Sequence, residues 1–238
     1  TWKLTADNYK EYFVPFLEKG KDIVYIHFSH FGTNTFEFDL PMAIKELKEK
    51  YPNRVIDVFD SRSVAQGALP LVIGAAKERQ KGKTKEQVEE YIRANVGKRI
   101  VYFIPENLSY LSKYGKISGV ASFLGNSFGI RPIMEANVSG DMNVVAKFIG
   151  HDMTLSKKIL LRMKTEGYPV GDKTGGKIDI GYTDNEERGR KFIESFMEMA
   201  QKMKMGPFVY ELSRINPHHS GIIGPGAIGL AYTTDKTR

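Results

Sequence analysis

The chain contains no cysteine and only one tryptophan among its 238 residues. Without cysteine, disulfide bonds, thiolate metal sites and a cysteine nucleophile are excluded. No apolar run approaches the roughly 20 residues that a membrane-spanning helix needs. No Walker sequence occurs, and no G-x-G-x-x-G stands between a predicted strand and a following helix, which leaves little support for nucleotide binding. We therefore expect a cytoplasmic protein without an integral membrane segment, a metal site or a cofactor.

The charge balance is basic, with 35 Lys and Arg against 28 Asp and Glu and a formal net charge of +7. A basic balance can indicate nucleic acid, an acidic partner or an anionic surface. The two signs alternate, however, as in the run Lys-Glu-Leu-Lys-Glu-Lys at 45–50. That pattern is typical of a solvated helix face, and no zinc-finger or RNA-binding signature accompanies it. We expect no nucleic-acid partner.

The first part of the chain alternates apolar strands with helical periodicities. Strands are predicted at 23–28 and 55–59, and helices at 9–17, 41–50, 68–80 and 84–95. This order predicts a parallel sheet covered by helices. Ligands bind such sheets beyond the carboxyl ends of the strands, which directs attention to residues 29–35 and 60–63. We assign residues 1–97 to an N-terminal α/β domain.

The pattern changes near Gly97. Strands are predicted at 100–104, 130–134, 142–148, 177–182, 207–212 and 227–232, with a long amphipathic helix at 185–204. Four methionines lie on or just after this helix, at 197, 199, 203 and 205; they indicate core packing or a deformable wall for an apolar ligand. We assign residues 98–238 to an α+β domain.

Candidate catalytic groups are scattered. The five histidines form no metal-binding pair, and the adjacent His218 and His219 are predicted to lie in a surface loop after Asn216-Pro217. Ser29 follows a strand but lacks the flanking glycines of a nucleophile elbow. An enzyme that hydrolyses an ester or handles a phosphate, with Ser29 or Ser61 as the reacting group, remains an alternative.

Four segments together resemble the DegV family of bacterial fatty-acid-binding proteins. Their order and spacing match over nearly the whole chain. They read Asp-Ser-Arg-Ser at 60–63, Asn-Leu-Ser-Tyr-Leu with Gly-Lys-Ile-Ser at 107–118, Ile-Arg-Pro-Ile at 130–133, and Gly-Pro-Gly-Ala-Ile-Gly at 224–229.

The resemblance implies two α/β domains with a ligand between them. It implies a long-chain, palmitate-like fatty acid whose chain enters an apolar tunnel and whose carboxylate meets hydroxyl groups. It also implies a carrier without catalytic groups of its own, which presents the acid to a separate fatty acid kinase. The first strand of the family and its Asp-Ser turn have no counterpart in this chain.

The head-group residues implied by the resemblance carry over one by one. Thr1 falls on the family's Thr, and the family's Ser-Ser-x-x-Ser-Gly-Thr loop maps onto residues 29–35. Thr33 then replaces the carboxylate-binding Ser and keeps a hydroxyl, and Asn34 replaces Gly, which suits a left-handed backbone. Ser29 and Ser61 are expected as neighbours of the carboxylate.

Two positions depart from the family. Ile149 replaces an Arg, and Ile222 replaces the His that precedes the turn at Gly224. A buried carboxylate without partners is strongly disfavoured, so other donors must compensate if the ligand is kept. Thr1, Thr33 and Ser61 with backbone N–H groups are one source of such donors, and His27, His218 or His219 is another. His27, Ile149, Ile222 and Gly224 are expected neighbours of the head group. A diverged regulatory protein without a fatty-acid ligand is the remaining alternative.

Overall fold

The structure is a computed structural model that describes residues 4–29, 35–114, 129–136, 142–169, 171–172, 175–234 and 236. It divides into two compact units. The first unit comprises the residues up to Arg62 together with Pro70–Val96. The second unit comprises Ser63–Leu69 and the residues from Gly97 onward. Within the described part of the chain, no helix is long and apolar enough to cross a bilayer.

The first unit is built around two parallel strands flanked by helices, as the strand–helix–strand order predicts. A π-helical turn, Thr35–Asp39, precedes its second helix. In chain order its elements are α1 (Ala6–Leu17), β1 (Ile23–His27), α2 (Leu40–Lys50), β2 (Ile56–Asp60), α3 (Leu69–Gln80) and α4 (Lys85–Asn95).

Helices cover both faces of this strand pair. On one face, Tyr9 and Phe13 of α1 and Leu47 of α2 form a buried cluster with Ile56. On the other face, α3 and α4 bury Phe59. Cover on both faces explains why each strand is an almost unbroken apolar run rather than an alternating one.

The apolar composition of residues 68–80 predicts a buried helix, and helix α3 departs from that prediction. Its Leu71 and Ala75 are buried, but Val72 and Ile73 are 43% and 44% exposed. The helix is apolar on more than one side, so its composition overstates how much of it the first unit covers. The prediction of burial is therefore wrong for the face that carries Val72 and Ile73.

The second unit is a mixed sheet with helices. Its described elements are β3 (Arg99–Ile104), α5 (Leu108–Tyr114), β4 (Ile130–Ala136), β5 (Met142–Ile149), α6 (Asp152–Glu166), β6 (Gly171–Asp172), β7 (Gly175–Tyr182), α7 (Glu186–Lys202), β8 (Phe208–Arg214), α8 (Pro217–Ile223) and β9 (Ile228–Thr233). The strand order is β5-β4-β3-β9-β7-β6, and β8 also pairs with β7. Only the β7–β8 pair is parallel among these described strands.

The core of the second unit lies where α6 and α7 pack against the sheet. Ile159, Leu160, Phe192 and Phe196 are fully buried there. The four methionines on and after α7 pack against the same cluster, which favours core packing over a ligand wall.

Helix α8 occupies the segment that was predicted to be a surface loop. The Asn216 side chain accepts a hydrogen bond from the His219 backbone N–H at 3.0 Å, and Pro217 is the first helical residue. Asn at the N-cap followed by Pro is a favourable helix start. The loop prediction is therefore wrong, because the pair marks the beginning of a helix and not a break.

Candidate functional site

The carboxyl ends of β1 and β2 lie side by side in the first unit. The parallel register pairs His27 with Asp60, and the Ser61 backbone N–H donates to the His27 carbonyl oxygen at 2.8 Å. Ser29 and Ser61 follow these strands and are almost completely buried. The fold thus places two buried hydroxyl-bearing residues at the edge where parallel sheets bind ligands.

His27 is fully buried at this edge. Its Nδ1 lies 3.0 Å from the hydroxyl oxygen of Tyr25. Its ring stacks on Phe28, with centroids 4.8 Å apart, and lies 5.1 Å from the ring of Phe36. Burial raises the pKa of Tyr25 above its ordinary value, so the phenol keeps its proton at neutral pH.

The turn after β2 is held in an uncommon backbone conformation. Arg62 has a φ of +50°, which non-glycine residues rarely adopt. A carboxylate oxygen of Asp60 accepts a hydrogen bond from the Arg62 backbone N–H at 2.7 Å. Asp side chains commonly stabilise such turns in this way. Strained backbone of this kind often accompanies functional sites, because the surrounding structure must maintain it.

An apolar groove of about 690 Å³ opens in the first unit between α2 and β2. Phe36, Leu40, Ile44 and Val58 are among its lining side chains, and Lys45 is at its polar side. Its volume falls within the range of roughly 300–1,000 Å³ typical of small-molecule sites. Since the Phe36 ring also lies against His27, the groove begins next to the polar strand ends.

The other predicted site residues either belong to the second unit or are not among the described residues. Thr1, Thr33 and Asn34 lie outside the described residues. Ile149 is the last residue of β5 in the second unit and is 64% exposed. Ile222 lies on α8, and these assignments stay predictions.

Gly224 occupies a position in the second unit that only glycine suits. Its φ is +82°, and a Cβ at this position would lie 2.6 Å from Cδ2 of Tyr110. The turn that follows is anchored by Asp184, whose carboxylate accepts the Gly226 backbone N–H at 2.7 Å. This bond lowers the pKa of Asp184.

A smaller pocket of about 330 Å³ adjoins this turn. It lies at the carboxyl ends of the parallel strands β7 and β8, and Asp184, Arg214 and Ser220 contribute to its lining. The Nε–H of Arg214 donates to the Thr183 carbonyl oxygen at 3.2 Å. Within the described ranges, no three His, Asp or Glu side chains are grouped so as to hold a metal ion.

Tyr25 and Phe36 are the residues near the strand ends that sequence reasoning missed. The signal for Tyr25 was present, because residues two apart on a strand share a face and Tyr25 precedes His27 by two. For Phe36 there was no such signal. Its contact with His27 depends on how the π-helical turn folds back over the strand end.

Comparison with known proteins relates the chain to one family throughout its length. The sequence model of the DegV family, described as uncharacterised proteins, matches residues 1–235. A DegV domain-containing protein of Clostridium acetobutylicum is 31% identical over 189 residues. That alignment covers 79% of this chain and 62% of the relative, so the chain spans less than two thirds of that relative's length.

Two solved structures share the fold. The fatty acid kinase B3 protein of Streptococcus pneumoniae, loaded with linoleic acid, superposes with a TM-score of 0.78 at 21% identity, covering 98% of this chain and 77% of that one. A DegV family protein of Eubacterium eligens, loaded with heptadecanoic acid, gives a TM-score of 0.75 at 20% identity, covering 97% and 78%. At these identities the likeness establishes the fold.

Proposed function

The chain belongs to the DegV family, and on that premise we propose that it binds a long-chain fatty acid as a carrier without catalytic groups of its own. The observation that carries this proposal lies in the first unit. Two buried hydroxyl residues, Ser29 and Ser61, stand at the carboxyl edge of the strands. An apolar groove begins at Phe36, beside the same edge. Polar groups next to an apolar groove suit an amphipathic ligand.

The head group of such a ligand is a carboxylate, which only accepts hydrogen bonds. Hydroxyl groups can donate to it, and a buried carboxylate needs such donors because an unpaired charge is costly to bury. We propose Ser29 and Ser61 as neighbours of the carboxylate. Thr1, Thr33 and Asn34, which the described residues do not include, complete the proposed set. Solved relatives loaded with linoleic and heptadecanoic acid support this ligand class.

The apolar chain supplies most of the affinity. Each buried CH2 group contributes about 0.8 kcal/mol, so ten buried methylenes would contribute about 8 kcal/mol. The groove lined by Leu40, Ile44 and Val58 offers the chain an apolar surface on the first unit. The palmitate-like ligand expected from the resemblance has a chain long enough to bury that many methylene groups.

A hydrolytic function is less favoured for the residues at the carboxyl ends of β1 and β2. In a serine hydrolase the histidine base is oriented by a carboxylate on its second nitrogen. Here the hydroxyl of Tyr25 lies at Nδ1 of His27. A phenol at this nitrogen supports a binding role over a catalytic one. Presentation of the acid to a fatty acid kinase is part of the proposal, and the name of the Streptococcus pneumoniae relative, fatty acid kinase B3 protein, supports it.

The test is direct binding of palmitate to the purified protein, measured by native mass spectrometry and calorimetry. Ser61→Ala is expected to weaken binding roughly 10-fold, because a hydrogen bond to a charged group is worth about 1.5–3 kcal/mol. Ser109→Ala in α5 is the matched control and is expected to change nothing. Failure of the wild-type protein to bind any C16–C18 acid would refute the proposal. A hydrolytic rate that disappears in Ser29→Ala would favour the enzyme instead.

A further inference from the structure

The outer face of helix α3 is apolar, whereas the outer faces of α4 and α7 are polar. The side chains of Val72, Ile73 and Ala76 are exposed. They share one side of the helix, because residues three and four apart lie on the same face. We refer to these three residues as the α3 stripe. The exposed residues of α4 and α7, by contrast, are mostly Glu, Gln, Lys and Arg.

Helix stability does not explain the α3 stripe. Valine and isoleucine are β-branched and form helices less readily than glutamate, lysine or arginine. At a position that faces water, side-chain packing does not compensate for this lower propensity, so charged residues usually stand there. A partner that covers Val72 and Ile73 supplies that packing. Apolar residues three and four apart are also the contacts that a docked amphipathic helix uses.

Cations without ion pairs follow the α3 stripe. Lys77 and Arg79 lie in the last turn of α3, and Lys83 lies in the connection to α4. The structure describes no residue whose carboxylate forms an ion pair with any of these three side chains. Glu78, which stands between the first two in sequence, is already paired with Lys81 at 2.6 Å. A partner on this face therefore meets an apolar stripe that ends in available positive charge.

The distribution of charge along α3 excludes a second copy as a well-matched partner. The first turn of α3 contains no acidic residue. An antiparallel copy would thus place no carboxylate against Lys77 and Arg79, and a parallel copy would bring like charges together. An anionic bilayer also fits less well. Helices that lie on membranes carry aromatic or leucine residues and spread their cations along one face, whereas the cations of α3 are confined to its end.

An acidic helix of another protein satisfies both features. If it runs antiparallel to α3, its first turn lies over Lys77 and Arg79. Acidic residues are favoured in the first turn of any helix, because they interact well with the positive end of the helix dipole. The same acidic residues would then pair with the cations of α3, while the apolar residues of the partner cover the α3 stripe.

We propose that the outer face of α3 is a docking surface for an amphipathic helix of a partner protein that carries Asp or Glu in its first turn. The α3 stripe provides the affinity, and Lys77 and Arg79 determine the direction in which the helix binds. The inference is independent of the proposed fatty-acid binding, because it uses no residue of the head-group site or of the apolar groove.

The probe is a synthetic helical peptide with glutamates in its first turn and leucines at the spacing of docked helices. Its binding is measured by fluorescence anisotropy at low salt. Ile73→Lys is expected to weaken binding by at least roughly 10-fold, because it places a charge in the apolar contact. Lys77→Glu is expected to weaken it roughly 5-fold, and a peptide with lysines in place of the glutamates is expected to bind this variant better than it binds the wild type.

Two variants on α6 are matched controls. Leu161→Lys makes the same kind of change at another exposed apolar residue, and Lys157→Glu reverses another exposed lysine. Both are expected to bind the glutamate peptide as the wild type does. In the wild-type protein, methyl NMR is expected to show peptide-induced shifts at Val72 and Ile73, a readout that does not depend on any variant folding.

Several results would overturn the inference. These are no binding of the glutamate peptide to the wild type, unchanged binding in Ile73→Lys, or methyl shifts that leave Val72 and Ile73 unaffected. Equal binding of the lysine peptide to the wild type and to Lys77→Glu would refute the role of charge. Binding to phosphatidylglycerol vesicles that Ile73→Lys abolishes would assign the surface to a bilayer. A dimer in analytical ultracentrifugation that Ile73→Lys dissociates would assign it to a second copy of the chain.

Discussion

Replacing Arg162 with methionine removes the cation that faces a buried carboxylate in the second unit. Glu135 is 1% exposed, and its Oε2 accepts a hydrogen bond from Arg162 Nη2 at 3.0 Å. The same guanidinium donates to the Val145 carbonyl oxygen at 3.0 Å and forms an ion pair with Glu166. Methionine keeps the length and the apolar contacts of the side chain but leaves Glu135 without this partner.

The expected cost follows from the burial of the carboxylate. Removing one partner of a buried ion pair typically costs about 3–5 kcal/mol. The side chain of Arg162 is 23% exposed, which places the expected loss near the lower end, at about 3 kcal/mol. For a unit of this size, the melting temperature is expected to fall by roughly 6–12 °C. Urea unfolding followed by circular dichroism measures the free energy, and calorimetry measures the melting temperature.

The pH dependence of the stability loss distinguishes a buried carboxylate without its cation from a packing defect in Arg162→Met. In Arg162→Met the carboxylate of Glu135 stays buried without the guanidinium that faces it, which favours the protonated form of this carboxyl. The folded variant then binds a proton that the unfolded chain does not, so its deficit shrinks as the pH falls from about 7 to about 5. Adding Glu135→Gln is expected to abolish this dependence and to restore about 1–2 kcal/mol. A loss below about 1 kcal/mol at pH 7, or an equal loss at both pH values, would refute the reasoning.

Two further predictions concern glycine and histidine. Gly67→Ala is expected to lower the melting temperature, because its Cβ would lie 2.1 Å from Ser63 Oγ and 2.3 Å from Val101 Cγ2. Gly221→Ala in α8 is the control: its Cβ meets nothing within 4 Å, so the variant is expected to stabilise the fold by about 0.5–1 kcal/mol. Equal changes in melting temperature for the two variants would contradict the prediction. Burial, with the charge of His218, lowers the pKa of His219 to about 4. Because the unfolded histidine takes up its proton near pH 6.5, the stability contributed by neutral His219 is present above that pH and is lost progressively as the pH falls toward 4. A midpoint near pH 6.5 in the NMR titration of the His219 imidazole would contradict this lowered pKa.

Much of the local structure was predictable because its signals are local. The spacing of apolar residues placed most helices and strands within a few residues of their observed ends. The Thr-x-x-Gln spacing at 84–87 is that of a capping box, and Thr84 and Gln87 form one at the start of α4. The resemblance to the DegV family, carried by short motifs in order, is confirmed by the match over residues 1–235.

Two errors came from reading composition without tertiary context. Helix α3 is apolar on several sides, but burial depends on which neighbours cover it, so Val72 and Ile73 remain exposed. The Asn216-Pro217 pair is common both in turns and at helix starts, and the choice between them depends on whether the following residues can pack. Ile223 of α8 is buried, which favours the helix.

The sequence by itself determined the α/β class and the parallel strand pair, since periodicity and element order are properties of neighbouring residues. It also directed attention to the carboxyl ends of these strands, where parallel sheets bind ligands. Only the tertiary structure decided which groups meet there. The contact between Phe36 and His27 depends on the fold of the turn between them. The pairing of Glu135 with Arg162 spans 27 residues of chain. Such contacts depend on register and packing, which short-range patterns do not encode.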